Sequence, residues 1–338
     1  MIRKEEMILE YQPYLEYVPV KPKDLFSKAT ESDETTINSW RETWLKNIRQ
    51  NHKEYGPFAD RSVGKFFNSS KNKPCIIIGS GPSLRNNIKE LKNRGDILAV
   101  SCLHNYHYLE DNGVPADFYM TLDAGPVVIE EVFEGGKESE EFYWNSTKGK
   151  KLLAYIGTPT ALLKKWQGEI YFFNAPVPDP DFIKEIDEQV ELFNVFISNG
   201  GNVLGACLYF AKAFLGSQAI AFMGADFCFS YDKQFHPWPS KYDKKLGHTL
   251  RVTDVFGNSI HTWQSYHNFK GWFEFVSMTV PGHYYNCSEG GTFGAYPGGN
   301  LRSIMQMPLK EFIKMMNLNE QIEQQAKDPK FTEKKLLF

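Results

Sequence analysis

Pro74-Cys75-Ile76-Ile77-Ile78-Gly79-Ser80-Gly81-Pro82-Ser83-Leu84 narrows the folds open to this chain more than any other stretch. Its apolar run shows no alternation, which reads as a strand buried on both faces, as in a parallel sheet. Gly79 and Gly81 allow a tight turn and close backbone approach. Pro82 suits the first turn of a helix and Ser80 sits where an N-cap would. The helix is expected from Ser83 to about Arg94, with Leu84, Ile88 and Leu91 at helical spacing. A strand, a glycine turn and a helix N-terminus together make an anion site, because unpaired N–H groups and the positive dipole end meet at one spot. An ordinary βα turn has the same pattern, since position 84 is Leu where the dinucleotide fingerprint has its third glycine.

The alternation continues downstream. Ile97 to Ser101 reads as a second strand, His104 to Asn112 as a short helix, and Phe118 to Leu122 as a third strand ending at Asp123. Leu152 to Ile156 and Ile170 to Phe173 are strand-like. Leu204 to Phe214 is an apolar helix closed by Gly216, and Ala219 to Gly224 is another buried strand leading to Asp226. Such a series implies an α/β fold with a mostly parallel, Rossmann-like sheet flanked by helices. Ligands in these sheets bind outside the carboxyl ends of the strands, where Gly79, Cys102 and Asp123 all fall. Residues 1–70 read as a short N-terminal accessory extension, 71–316 as the main domain, and 317–338 as a solvated tail. Within the extension, Tyr11 to Pro22 favours an extended strap. Thr36 to Ile48 reads as a helix, with Ile37, Trp40, Trp44 and Ile48 near one face. Glu130 to Glu141 reads as a solvated acidic face and Pro176 to Pro180 as a loop. Gly257-Asn258 reads as a hairpin turn, Tyr266 to Val276 as an aromatic helix, and Leu309 to Met316 as the start of a closing helix.

Composition excludes several classes. A net charge of −3 argues against a broad nucleic-acid-binding face. The five Cys lack C-x-x-C spacing and the eight His lack H-x-x-x-H spacing, so neither a zinc site nor a disulfide framework is indicated. Met1 to Glu6 is not a signal peptide and no apolar run reaches membrane-spanning length, which leads to the expectation of a cytoplasmic protein. Nothing in the pattern sets an oligomeric state.

Four further groups carry chemistry. In Ser198-Asn199-Gly200-Gly201-Asn202, flexible backbone, two amides and a helix start suit a phosphate or the edge of a base; plain N-capping by Asn199 or Asn202 would explain the same residues. Asp123 and Asp226 end strands, so they could share a magnesium ion, or orient a ribose hydroxyl, or cap a helix. His236 and His261 have the pKa range of a general base. Asn286, Ser288 and Glu289 follow a strand, with Gly290 and Gly291 leaving room for a ligand.

The ordered motifs resemble the 6-hydroxymethylpterin diphosphokinase-like domain family. Ile77-Ile78-Gly79-Ser80-Gly81-Pro82-Ser83-Leu84 is similar to its opening motif, and also to that of bacterial CMP-sialic-acid sialyltransferases. Pro115-Ala116-Asp117-Phe118 with Asp123, then Ser198 to Ala211 with Met223-Gly224-Ala225-Asp226-Phe227, resemble its later segments. His236, Gly257 to Thr262, Phe269 to Glu274 and Asn286-Cys287-Ser288-Glu289-Gly290-Gly291 complete the order. The last motif resembles the motility accessory factor branch, with Ser288 where that branch has Thr. The resemblance spans roughly residues 70–315 and implies a nucleotide-dependent transferase. The first expectation is a glycosyltransferase using a CMP-activated, sialic-acid-like sugar and a small-molecule, glycan or protein acceptor. Gly79, Ser80, Gly81, Pro82 and Ser83 would hold the donor phosphate, Asn199 to Asn202 the other nucleotide groups, and Asp123 the ribose or acceptor. His236 or His261 would be the base. The alternatives are a diphosphokinase acting on a pterin-like alcohol with ATP and Mg²⁺ on Asp123 and Asp226, or a non-catalytic nucleotide-binding protein.

Overall fold

The computed structural model describes residues 22–176, 180–189, 193 and 195–327. The expected strap at 11–22 lies outside them but for residue 22, and the expected loop at 176–180 but for its two end residues. The first-named run forms β1 (Cys75–Ile78), all four residues fully buried. Then come β2 (Leu98–Cys102), β3 (Phe118–Thr121), β4 (Lys151–Tyr155), β5 (Glu169–Phe173) and β6 (Ala219–Met223). A hairpin of β7 (Thr249–Thr253) and β8 (Ser259–Trp263) stands apart, as does the short pair β10 (Ala295–Tyr296) and β11 (Gly299–Asn300). The main sheet also takes β9 (His283–Asn286) and β12 (Ile304–Gln306).

Among the described residues, eight strands make one sheet in the order β12-β9-β6-β1-β2-β3-β4-β5. Every neighbouring pair is parallel. The chain builds outward from β1 to β5, then returns to the other side of β1 with β6. The strand order therefore reverses between β1 and β6, and a crevice opens at the carboxyl ends of such a pair. The near-continuous apolar strands are the consequence of helices covering both faces.

Several elements differ from expectation. The helix after β1 is α-helical only from Leu84 to Asn87 and continues as a 3₁₀ helix, Ile88–Asn93. Asn87 departs to φ −130°, and its side-chain amide donates to the Cys287 carbonyl (2.8 Å) and to Glu289 (3.1 Å). The N-cap position falls on Ser83, not Ser80. The helix Val203–Tyr209 runs into a π-helical stretch, Phe210–Leu215, that Gly216 ends at φ +80°. The closing helix, Leu309–Lys327, continues past residue 316, where a tail was expected.

The N-terminal helix, Pro22–Tyr55, is longer than the periodicity suggested. Leu45 and Ile48 are fully buried, while Trp40 is 39% exposed and lies at the rim. Phe58 and Val63 also enter the core, so the extension is part of the main body. The acidic stretch is not simply solvated. Glu131 is held by Lys241 and by the Tyr242 hydroxyl, and Glu134 accepts from the Lys241 amide.

Candidate functional site

The exits of β1 and β6 are stitched together. Gly79 N–H donates to the Met223 carbonyl (2.9 Å) and Gly81 N–H to the Gly224 carbonyl (2.8 Å). A Cβ on Gly79 would lie 2.5 Å from the Gly224 oxygen, and one on Gly81 would lie 2.7 Å from the Asp226 carboxyl carbon. These glycines make room for the neighbouring strand exit. Asp226 accepts from Ser83 N–H (2.7 Å) and from the Ser83 hydroxyl, one bond to each oxygen. Burial pushes its pKa up to about 6, against the pull of those two hydrogen bonds. Asp226 thus caps the short helix after β1.

The expected anion cradle is correspondingly reduced. Pro82 has no N–H, and the amides of Gly79, Gly81, Ser83 and Leu84 are spent inside the protein. Among the described residues, the Ser80 amide meets no protein acceptor. A second set of amides faces the same crevice. Asn202 caps the helix that begins at Val203, its side-chain oxygen accepting from Gly205 N–H (3.0 Å). The Val203 and Leu204 amides, at the start of that helix, have no acceptor among the described residues, as helix geometry dictates.

Between these turns lies a cavity of about 220 Å³. Gly79, Ser80 and Gly81 line it from β1, Cys102 and His104 from β2, and Asp123 from β3. Asn202 to Leu204 and Gly224 to Cys228 add the far side, and Phe235, His236, Tyr266 and Phe269 close it. A smaller chamber of about 110 Å³ adjoins it, sharing Cys102, His104, Asp123 and Val203 and reaching Glu131. The structure brings Gly79, Cys102 and Asp123 to one edge, as parallel strands require.

His236 is 5% exposed. Its Nδ1 lies 2.9 Å from the Ser80 carbonyl oxygen. A carbonyl only accepts, so Nδ1 carries the proton and Nε2 keeps its lone pair. The ring stacks on Trp238 at 4.9 Å, with planes 10° apart. Burial lowers its pKa, opposed by the Ser80 carbonyl and by Glu134, Asp243 and Glu131. His104 stands edge-on to it at 4.8 Å, its own pKa lowered to about 3 by burial first and by the neighbouring histidines. Asp123 is exposed to the cavity, while protein crowds its carboxyl from behind. Burial, then Glu131, raises its pKa, and solvent in the cavity tempers that rise.

Other expected residues are occupied elsewhere. His261 pairs through Nδ1 with the Thr249 hydroxyl (3.0 Å) across the β7–β8 hairpin and does not line the cavity. The Asn199 side chain turns back onto Gly201 N–H (2.7 Å). Gly200 and Gly201 have φ of +57° and +87° and lie against the rings of Trp272 and Phe269. Of that loop only Asn202 reaches the cavity. Asn286 is buried, bonded to Phe293, Gln306 and Ser288. The Ser288 hydroxyl accepts from Ala225 N–H. Glu289 accepts from Asn87 and from Leu309 N–H, the first amide of the closing helix. Gly290 packs by Ser83. These four residues anchor the β9 exit rather than the cavity.

Asp226 is 3% exposed and each of its oxygens already holds Ser83, so of the expected magnesium pair only Asp123 stands exposed to the cavity. Among the described residues no group of three His, Cys, Asp or Glu side chains converges as a metal site. Tyr266, Phe269 and Phe235 were not read from the sequence as site residues. Tyr266 and Phe269 share a helix whose aromatic character is legible in the sequence, whereas Phe235 lies outside any helix; tertiary packing alone brings the three to one cavity with Ser80.

The fold and this crevice define a doubly wound parallel α/β protein with its candidate site at the switch point. The chain belongs to the family described as 6-hydroxymethylpterin diphosphokinase MptE-like, which it matches over residues 42–232. Among solved structures, the MAf glycosyltransferase from Magnetospirillum magneticum AMB-1 is similar, with a TM-score of 0.52 and 15% sequence identity. The likeness covers 81% of this chain but only 41% of that one, so it leaves more than half of the neighbour unmatched. At that identity it shows a shared fold. No curated protein matches the chain. No helix among the described residues is long and apolar enough to cross a membrane.

Proposed function

We propose that this protein is a nucleotide-dependent transferase whose donor phosphate lies between the Ser80 amide and the start of the helix at Val203. The observation that carries this reading is the pairing of those unspent amides with a neutral, oriented histidine on one cavity. Three amides, those of Ser80, Val203 and Leu204, can stabilise charge that develops on a phosphate leaving group. Nε2 of His236 would take the proton of an acceptor hydroxyl while Ser80 holds the ring in register. Asp123 would orient that hydroxyl or a ribose.

A glycosyltransferase using a CMP-activated acidic sugar is the form of transfer this arrangement favours, since it needs no magnesium on Asp226. The family description favours a second reading, diphosphate transfer from ATP to a pterin-like alcohol. On that reading charge neutralisation would have to come from groups other than an Asp123–Asp226 metal pair.

The test begins with thermal shift against CMP, CDP, UDP, GDP and ATP, since a ligand that binds only the native state raises the melting point. With the donor that binds, His236→Ala is expected to lower turnover by roughly 10²–10⁴-fold while donor affinity stays near normal. His248→Ala, at an exposed position, is the control. Because burial lowers the His236 pKa, the base form persists into acid, and the acid limb of turnover should lie below the ordinary histidine range near pH 6.5. Parent-rate turnover by His236→Ala would remove the base assignment. Failure of every nucleotide to bind would remove the nucleotide reading.

A further inference from the structure

The cavity has an aromatic wall. Phe227, Phe235, Tyr266 and Phe269 line it together with Ser80 and Asn202. Phe235 and Tyr266 stack at 5.4 Å with planes 6° apart, and Phe269 lies 5.9 Å from Tyr266. Tyr266 and Phe269 are three residues apart on the helix Gln264–Thr279, so they share a face. Both are only half-buried, so the core does not consume them.

The glycine loop is shaped around this wall. A Cβ on Gly201 would meet the Phe269 ring at 2.8 Å, and one on Gly200 would overlap Trp272. Phe227 holds φ +51°, an uncommon conformation for a bulky residue and one that clusters at functional sites. Beside the rings stands one unspent donor. The Asn202 side-chain oxygen is committed to Gly205, but its Nδ2 has only a 3.5 Å contact with the Gly200 carbonyl.

Flat apolar faces with one amide donor at the edge are the chemistry that recognises a planar heteroaromatic ring carrying a hydrogen-bond acceptor. We infer that the ring of a nucleotide packs on the Tyr266–Phe269 wall and is read at its edge by Asn202, with its phosphate toward Ser80. This rests on the nucleotide reading above.

Calorimetry on the full chain with CMP, AMP and ribose 5-phosphate tests it, because the last carries sugar and phosphate without a ring. The parent protein should bind CMP or AMP about tenfold or more tightly than ribose 5-phosphate, the scale of a stacked base. Phe269→Leu should bring nucleotide affinity down toward the ribose 5-phosphate value and leave the latter within about twofold. Asn202→Ser keeps an N-cap oxygen and touches no ring; it should weaken nucleotides in the same selective way, and it carries the test if Phe269→Leu fails to fold. Equal losses for nucleotide and ribose 5-phosphate overturn the inference, as do variants with unchanged nucleotide affinity. A parent protein that binds ribose 5-phosphate as tightly as CMP and AMP overturns the ring subsite alone. One that binds none of the three overturns the nucleotide reading with it.

Discussion

Gly79 and Gly224 face each other backbone to backbone where the two strand exits meet. The obstacle to a side chain at Gly79 is the Gly224 carbonyl, which is backbone and cannot rotate away. Gly224 itself sits at φ +61°. Gly79→Ala is therefore expected to destabilise the fold by roughly 3 kcal/mol or more, since the two strand exits must part to admit a methyl. Urea unfolding reads it directly, and an unchanged midpoint would mean the exits separate freely. A Gly79→Val variant would unfold before it reported on ligand binding. The Gly-x-Gly pattern was legible in the sequence, but its purpose was not. Spare room for a phosphate and spare room for a carbonyl from a distant strand leave the same mark. The same ambiguity hid Gly200 and Gly201, which admit aromatic rings.

The N-terminal helix Pro22–Tyr55 shows how an element expected to be accessory supports the site. Asn51 donates to the carbonyls of Ile156 (2.8 Å) and Thr158 (2.7 Å) and accepts from the Thr160 hydroxyl (2.6 Å). Asn47 donates to the carbonyls of Gly157 (2.9 Å) and Ala124 (3.0 Å), the latter next to Asp123. The helix thereby fixes the loop after β4 and the exit of β3. Asn51→Ala leaves buried carbonyls and a hydroxyl unpaired and should cost about 3 kcal/mol. Trp40→Ala, at the exposed rim, should change stability by only about 0.5 kcal/mol. Comparable losses in thermal or urea unfolding would show that the helix docks through its apolar stripe alone. Apolar periodicity located this helix, but a polar residue among its buried positions carries no periodic signal.

Across the whole molecule, the helices and loops over the β2 and β3 exits gather three histidines around Trp238, whose ring lies 5.2, 4.5 and 4.9 Å from His104, His107 and His236. His104 and His107 have pKa values lowered to about 3 and about 4, in each case first by burial, and His236 is lowered as well. His107 is fully buried, packed at 4.5 Å against Trp238. Between its folded value and the unfolded value near 6.5, the unfolded chain binds the proton and the folded chain does not. Stability is then lost as pH falls through that window. Asp226, raised to about 6, works in the opposite sense, favouring the fold as pH drops below that value. The histidine contribution is isolated by comparison with His107→Phe. Relative to this variant, the parent should lose roughly 2 kcal/mol between pH 7 and pH 5, as one proton's linkage requires. Urea midpoints at the two pH values measure it, and parallel pH profiles would mean that His107 is protonated in the fold.

The strands, their parallel sense and the edge where ligands bind all follow from local pattern. As a strand, a run such as Cys75 to Ile78 points apolar side chains both ways and buries them all only in a sheet covered on both faces. The identity of the cavity's walls does not. Whether Asp226 faces a ligand or Ser83, whether His236 or His261 meets the cavity, and whether Asn286 to Gly290 line it or tie down β9 depend on partners far away in the chain. Side-chain hydrogen bonds are short and directional, so they are assigned by where the strand exits meet. That meeting exists only once β6 has crossed back beside β1.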